Sequence, residues 1–296
     1  MTNDAGRRGA RTTPERAAFV TWRGLPALSA DDRLAAAALE RCGVAVDAVS
    51  WDDPTVDWVG YSAVVVRSTW DYHRRPLEFQ RWIERLEHSG APLWNPPELL
   101  RWNLDKRYLG ELAEFGIAVV PTHRVRRGSG ATLAGTLDEA GWGEVVVKPA
   151  ISASAHGTWR SSRTRARRDA RRFSALLESG DVLVQPYQPA IKEGEWSLCF
   201  FGGRFSHAVL KRPRPGEFRV QAELGGEVLV RQPSSRLVEE AANVVGLAPA
   251  PSLYARVDAC DVGGALLLME LELIEPTLFF HADPDAPERF AKALRT

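Results

Sequence analysis

The stretch Leu253-Tyr254-Ala255-Arg256-Val257-Asp258, with Leu266-Leu267-Leu268-Met269-Glu270-Leu271-Glu272-Leu273-Ile274-Glu275-Pro276 after it, decides how the rest of the chain is read. Each run is apolar enough for a strand, yet together they carry Arg256, Asp258, Glu270 and Glu272. Side chains alternate between the faces of a strand. Arg256 and Asp258 therefore share one face, and Glu270 and Glu272 share one face of the next strand. Two glutamates side by side in an apolar strand repel and lose hydration unless a cation lies between them. A hard divalent ion held by carboxylates, with phosphate oxygens completing its shell, meets that need. The solvated face of an edge strand, where Leu and Glu alternate routinely, meets it too. These residues alone leave both readings open.

Around this pair lies a chain of 296 residues, 45% hydrophobic, enough for one large or two modest globular domains. Lys plus Arg and Asp plus Glu both number 38, so the formal charge is zero. That balance supports neither a nucleic-acid nor a membrane-surface partner. Cys42, Cys199 and Cys260 are isolated, with no CxxC, which disfavours structural zinc or a disulfide framework and suits a reducing cytoplasm. No apolar run is long enough for a bilayer span. Residues 1–16 are polar and Arg-rich and read as a flexible tail, not a secretory signal.

In chain order, Ala17–Trp22 reads as a strand, and Ser29 caps an alanine-rich helix that ends at Cys42-Gly43. Val44–Trp51 and Ser62–Arg67 are further strands, the second apolar on both faces as in the interior of a parallel sheet. Pro76 opens a helix over Leu77–His88. This β-α-β-β-α order implies an open α/β sheet. Ligands bind beyond the carboxyl ends of such strands, which makes Arg67-Ser68-Thr69-Trp70-Asp71-Tyr72 a candidate substrate loop. A packed Trp70 with a capping Asp71 is its other reading.

After Leu93-Trp94-Asn95-Pro96-Pro97, a helix is expected from Leu104-Asp105-Lys106-Arg107 to Phe115-Gly116. A second unit follows, with a helix over Thr132–Ala140 and a strand over Glu144–Pro149. Lys148 at the end of that valine-rich strand needs solvent or an anion for its ammonium. Ser152 to Thr158, including Ser154 and Gly157, is a small-residue loop whose amides could approach an oxyanion, or simply a surface turn. It is not a Walker loop. Arg160–Arg172 holds seven arginines with no interleaved aromatics, and reads as a solvated strand-to-helix connection. Asp181–Tyr187 is a strand, and Gly194–Phe205 is a hairpin turning at Gly202-Gly203 and continuing through Lys211. Arg212–Gly226 is a Pro- and Gly-rich loop carrying Phe218-Arg219-Val220. Helices over Ser235–Val245 and Pro287–Leu294 complete the chain.

The ordered set Lys106, Lys148, Gln185-Pro186-Tyr187, Glu195, Lys211, Arg219, Arg256, Asp258, Glu270 and Glu272 resembles the ATP-grasp superfamily from Ala17 onward. Arg67–Tyr72, Trp94–Pro97 and Glu270–Pro276 look most like its D-cycloserine synthetase-type branch. The resemblance implies an α/β fold that becomes α+β in the ATP-grasp lobes. It divides into an N-terminal open α/β domain (17–104), a central lid lobe (105–188) and a C-terminal lobe (189–296). It further implies that Lys106 and Lys148 hold the α- and β-phosphates and that the 152–158 loop covers the γ-phosphate. Gln185 and the backbone of Pro186, Tyr187 and Gln188 would hold adenine, and Glu195 the ribose. Lys211 would reach the phosphates, Arg256 the acyl phosphate, and Asp258, Glu270 and Glu272 two magnesium ions. Arg67–Tyr72, Arg219 and Arg256 would surround a small amino-acid-like substrate. Most of the superfamily has asparagine where this chain has Glu272; the added charge should tighten metal binding and makes two ions more necessary than one.

The implied chemistry is ATP-dependent activation of a carboxylate as an acyl phosphate, then attack by an amine in another molecule or, in the cycloserine branch, in the same one. Phosphoryl transfer needs alignment and charge neutralisation more than acid-base groups. The alternative is a catalytically silent nucleotide-binding scaffold. A homodimer is the default assembly.

Overall fold

The computed structural model describes residues 15–221 and 224–296. It contains a parallel sheet of four strands and two antiparallel sheets of four and five. Residues 1–14 of the expected tail lie outside the described residues, whereas Glu15 and Arg16 already belong to the first strand.

The first sheet has the order β2-β1-β3-β4, with β1 at Glu15–Thr21, β2 at Val44–Ser50, β3 at Ala63–Val66 and β4 at Leu93–Trp94. Alternation in β1 serves two cores. Ala17 and Phe19 pack toward α1 (Ala30–Arg41) and α8 (Ala286–Leu294), while Ala18 and Val20 pack toward α2 (Pro76–Ser89). Burial on both faces is why β3 reads as an unbroken apolar run. Helix α1 starts where expected, the Ser29 hydroxyl accepting from the Asp32 amide.

The chain then forms α3 (Pro97–Leu104) and α4 (Tyr108–Glu114) in place of the single helix expected to open at Leu104. Asp105 is extended and its carboxylate accepts from the Arg107 amide, which breaks the helix and leaves Lys106 in the gap. Leu99, Tyr108, Leu109 and Leu112 pack against the five-stranded sheet, so these helices share its core.

The second sheet has the order β5-β8-β6-β7, with β5 at His123–Val125, β6 at Glu144–Pro149, β7 at Trp159–Ser162 and β8 at Val182–Pro186. Helices α5 (Leu133–Ala140) and α6 (Ala166–Ser179) cover one face of it. The arginine run divides between β7 and α6. Ala166, Phe173 and Leu177 are the buried side of α6, and Arg167, Arg168, Arg171 and Arg172 stand exposed.

The third sheet has the order β11-β10-β9-β12-β13, with β9 at Glu195–Phe201, β10 at Arg204–Arg212, β11 at Glu227–Val230, β12 at Tyr254–Val262 and β13 at Ala265–Glu272. One face packs on α7 (Ser235–Gly246), α3 and α4. The outer edge of β13 is not left open. Asn103 and Tyr108 bond the backbone of Leu271 and Leu273, and Leu268 donates to the Ala118 carbonyl and accepts from the Val120 amide. Asn95 ties the first sheet to Leu253, Tyr254 and Leu273 in the same way. Among the described residues, no helix is long and apolar enough to cross a membrane.

Candidate functional site

Strands β12 and β13 pair Arg256 with Glu272 and Asp258 with Glu270. Strict alternation would put Leu266, Leu268, Glu270 and Glu272 on one face. A bulge prevents this: Asp258 faces Glu270 while Ala259 faces Leu268, leaving Met269 unpaired. The extra residue turns the strand over, so Leu268 and Leu271 enter the core while Glu270 and Glu272 face the opposite side. There they line a cleft of about 340 Å³ between the second and third sheets.

The cleft is densely charged. Lys106, Lys148, Lys211, Arg219 and Arg256 line it together with Glu195, Asp258, Glu270, Glu272 and Glu275. Arg256 donates to both Asp258 oxygens, at 3.0 and 2.8 Å, to Glu272, and to the Thr277 carbonyl at 2.9 Å. Lys211 bridges Glu195 at 2.6 Å and Asp258 at 3.2 Å. Lys106 lies 3.1 Å from Glu270 and donates to the Ser152 carbonyl at 2.8 Å. Lys148 has no hydrogen bond or ion pair among the described residues, and burial pulls its ammonium below the usual lysine range. A half-buried ammonium without a partner is costly, and an anion in the cleft would relieve that cost.

Burial works against the carboxylates, and their partners decide the outcome. Burial raises Asp258, but Arg256 and Lys211 outweigh it and hold the carboxyl at about 2. Burial pushes Glu272 up to about 7 in spite of Arg256. Glu195 is raised by burial against the pull of Lys211. The buried thiols Cys199 and Cys260 are pushed up by burial, Cys260 to about 12, so neither is an activated nucleophile.

Asp258, Glu270 and Glu272 offer the hard oxygen donors that suit magnesium. Among the described residues, however, no three His, Cys, Asp or Glu side chains stand close enough to hold a metal ion. Each of these acids is instead held by a cation of the protein, Glu270 by Lys106 and the other two by Arg256. The donor chemistry fits the ion; the ion would have to displace these internal pairs.

Other expected site residues fall unevenly. Ser152, Ser154, Gln185, Pro186, Tyr187 and Gln188 line the cleft, with Gln185 donating to the Thr122 hydroxyl at 2.8 Å. Gly157 supports the 152–158 loop from behind: its φ is +68°, and a Cβ there would lie 3.0 Å from Pro149. His156 of this loop meets His73 of the first domain, ring centroids 4.9 Å apart. Arg219 lines the cleft but is chelated by Glu217.

The substrate loop is reassigned in part. Trp70 and Tyr72 line the cleft, but Arg67, Ser68, Thr69 and Asp71 do not. Arg67 is 1% exposed and donates to Asp32 at 2.8 Å and to the Pro276 carbonyl at 3.0 Å. Ser68 also bonds Asp32, and Asp71 accepts from Trp51 and Arg75. Arg67, Ser68 and Asp71 thus bond within the protein, while Thr69 Oγ1 and Arg67 Nη1 are buried without a hydrogen-bond partner among the described residues. Asn103, Met269, Glu275, Thr277 and Phe279 line the cleft without having been singled out from the sequence. Glu275 stood in the quoted stretch, but it lies past the end of β13, where alternation no longer says which way a side chain points.

Comparisons with known proteins converge on one family and fold. The family described as D-cycloserine synthetase DcsG, N-terminal domain, matches residues 17–95. The cycloserine biosynthesis protein DcsG of Streptomyces lavendulae is 36% identical over 275 residues, spanning 86% of this chain and 91% of that protein. The crystal structure of D-cycloserine synthetase DcsG superposes with a TM-score of 0.83 at 34% identity, covering 94% of this chain and 98% of the other. At the level of fold alone, the ATP-grasp ligase PsnB in complex with a precursor variant, Mg and ADP gives a TM-score of 0.64 at 15% identity, covering 96% and 98%. With a relative of that identity matched over most of both lengths, and a cleft lined by lysines and carboxylates between two antiparallel sheets, the chain belongs to the D-cycloserine synthetase family of ATP-grasp ligases.

Proposed function

We propose that this protein uses ATP to activate the carboxylate of a small amino-acid-like substrate, and that a nitrogen of the same molecule then closes on it, as in cycloserine formation. The observation that carries the reading is the unpartnered Lys148, set in one cleft with Lys106, Lys211, Arg256 and the three acids of β12 and β13. A carboxylate oxygen attacks the γ-phosphorus, the bond to the leaving ADP oxygen breaks, and an acyl phosphate results. The nitrogen then adds to the acyl carbon and inorganic phosphate leaves.

In this reading Lys106 and Lys148 hold the α- and β-phosphates, and the Ser152–Thr158 loop covers the γ-phosphate. Gln185 to Gln188 hold adenine, Glu195 holds the ribose, and Arg256 neutralises the transferring group. Such a site acts through alignment and charge neutralisation. Asp258, Glu270 and Glu272 hold magnesium, which when bound draws charge from the phosphate oxygens. We place two ions here, because three carboxylates would otherwise face the phosphates with an excess of negative charge. Arg256 and Lys106, which pair with these acids in the structure, would then be free to face phosphate. The lobe built on β5–β8 serves as the lid.

The test is ADP release across a panel of carboxylate and amine pairs that includes single substrates such as O-ureidoserine. Magnesium-dependent release with a single substrate is expected. No release with any member, together with retained ATP binding by calorimetry, would point to a silent scaffold instead.

A further inference from the structure

Of the five carboxylates that line the cleft, four are matched to protein cations, as set out above. Glu275 is different: among the described residues its carboxylate makes no hydrogen bond and no ion pair, although it faces the cleft. Its backbone carbonyl accepts from the Trp70 indole at 3.4 Å, and Trp70 and Tyr72 line the same cleft. Burial, reinforced by Glu272, pushes its carboxyl well above the usual range. Leaving such a group without a counter-charge is costly, and a ligand that brings a cation recovers the cost. Lys148 is the complementary case, a cleft cation without an anion. The cleft thus has one unmatched positive group on the lid and one unmatched negative group beside the first domain.

Building on the ligase reading, we propose that Glu275 binds the ammonium group of the amino-acid substrate, with the Trp70 and Tyr72 rings as flanking walls. A carboxylate forms short, charge-assisted bonds to an ammonium, and aromatic faces attract the same charge. In an intramolecular closure by a side-chain nitrogen, the α-ammonium is not consumed. Holding it at Glu275 decides which end of the substrate points toward Lys148 and the γ-phosphate.

The experiment compares O-ureidoserine with its des-amino counterpart on wild type, Glu275→Gln and Glu275→Asp. ADP release gives KM and kcat, and calorimetry with a non-hydrolysable ATP analogue gives binding without turnover. Wild type should prefer the amino compound. Glu275→Gln should weaken that compound roughly 10- to 100-fold and leave the des-amino compound unchanged. Half-saturation by ATP and magnesium should not move, and Glu275→Asp should restore part of the preference. Preserved ATP-analogue affinity shows that a variant is folded; if Glu275→Gln is not, the Asp variant and the wild-type preference decide. Equal wild-type binding of the two compounds, a preference that survives Glu275→Gln, or a change confined to magnesium or ATP would overturn the assignment. Wild type that prefers the amino compound in calorimetry, with the preference lost in Glu275→Gln but no ADP release, supports the ammonium site while removing the ligase reading.

Discussion

Arg67 lies just past the carboxyl end of a parallel strand, where a substrate carboxylate would be met, yet it is sealed against Asp32 and the Pro276 carbonyl. Replacing one member of a buried ion pair strands the other. Arg67→Ala should therefore lower unfolding stability by about 3–5 kcal/mol, read from urea midpoints. A substrate KM that rises with no loss of stability would return Arg67 to the substrate site. Glu270 makes the opposite case. Among the described residues it is paired with Lys106 alone and is partly open to the cleft, so Glu270→Gln should leave the fold intact. In the proposed role of Glu270 as a magnesium ligand, its loss should cut kcat on the order of 100-fold or more, and raise the magnesium concentration needed for half-maximal ADP release. Full activity in that variant would remove Glu270 from the metal site. Glu272, the departure from the wider superfamily, faces Arg256 across the strands, so part of its extra charge is already balanced inside the protein.

Two local irregularities set the site at the level of single elements. The bulge at Met269 moves the glutamates off the core face, and the break at Asp105 places Lys106 between two helices. Neither follows from periodicity, which assumes unbroken strands and helices. The loop over Arg212–Gly226 adds a third constraint. A Cβ at Gly226 would lie 2.2 Å from the Val220 carbonyl, closer than any real contact. Gly226→Ala must push back the 218–221 segment, which lines the cleft. The expected result is weaker nucleotide or substrate binding with a small change in thermal midpoint, measured by calorimetry beside a melting curve. Unchanged affinity for both would separate this loop from ligand binding.

Across the whole molecule, the segment that follows β3 and the 152–158 loop meet through His73 and His156. Burial, together with the nearby His156 and Arg74, lowers His73 to about 4 from an ordinary value of 6.5, with Asp71 opposing. A base whose folded pKa is depressed is held neutral by folding. Its stabilising share is full above pH 6.5 and is lost as pH falls toward 4. The readout is the difference between wild type and His73→Asn: as pH falls from 7 to 4, the unfolding midpoint of wild type should drop relative to that of the variant. An identical slope in the variant would show that the contact does not contribute. Asp258, held at about 2 against an ordinary 3.8, loses its stabilising share in the same direction but only below about pH 4. Glu272, pushed up to about 7, gains stability as pH falls and opposes the trend within the same window.

Composition, strand and helix order, and the spacing of lysines and acids were enough to find the parallel sheet, the hairpin at Gly202-Gly203 and nearly every charged group of the cleft. These depend on local rules: period, capping and turn chemistry act over a few residues and are written along the chain. Partners are not written there. Arg67 and Asp32 are 35 positions apart, Arg67 and Pro276 are 209 apart, and only packing makes Arg67 a brace. The same holds for the stretch from Leu253 to Pro276. Its residues announced two strands and a set of facing charges. The tertiary structure supplied the bulge that aims Glu270 and Glu272, the cations that hold four of the five acids of the cleft, and the position of Glu275, the cleft acid with no partner among the described residues.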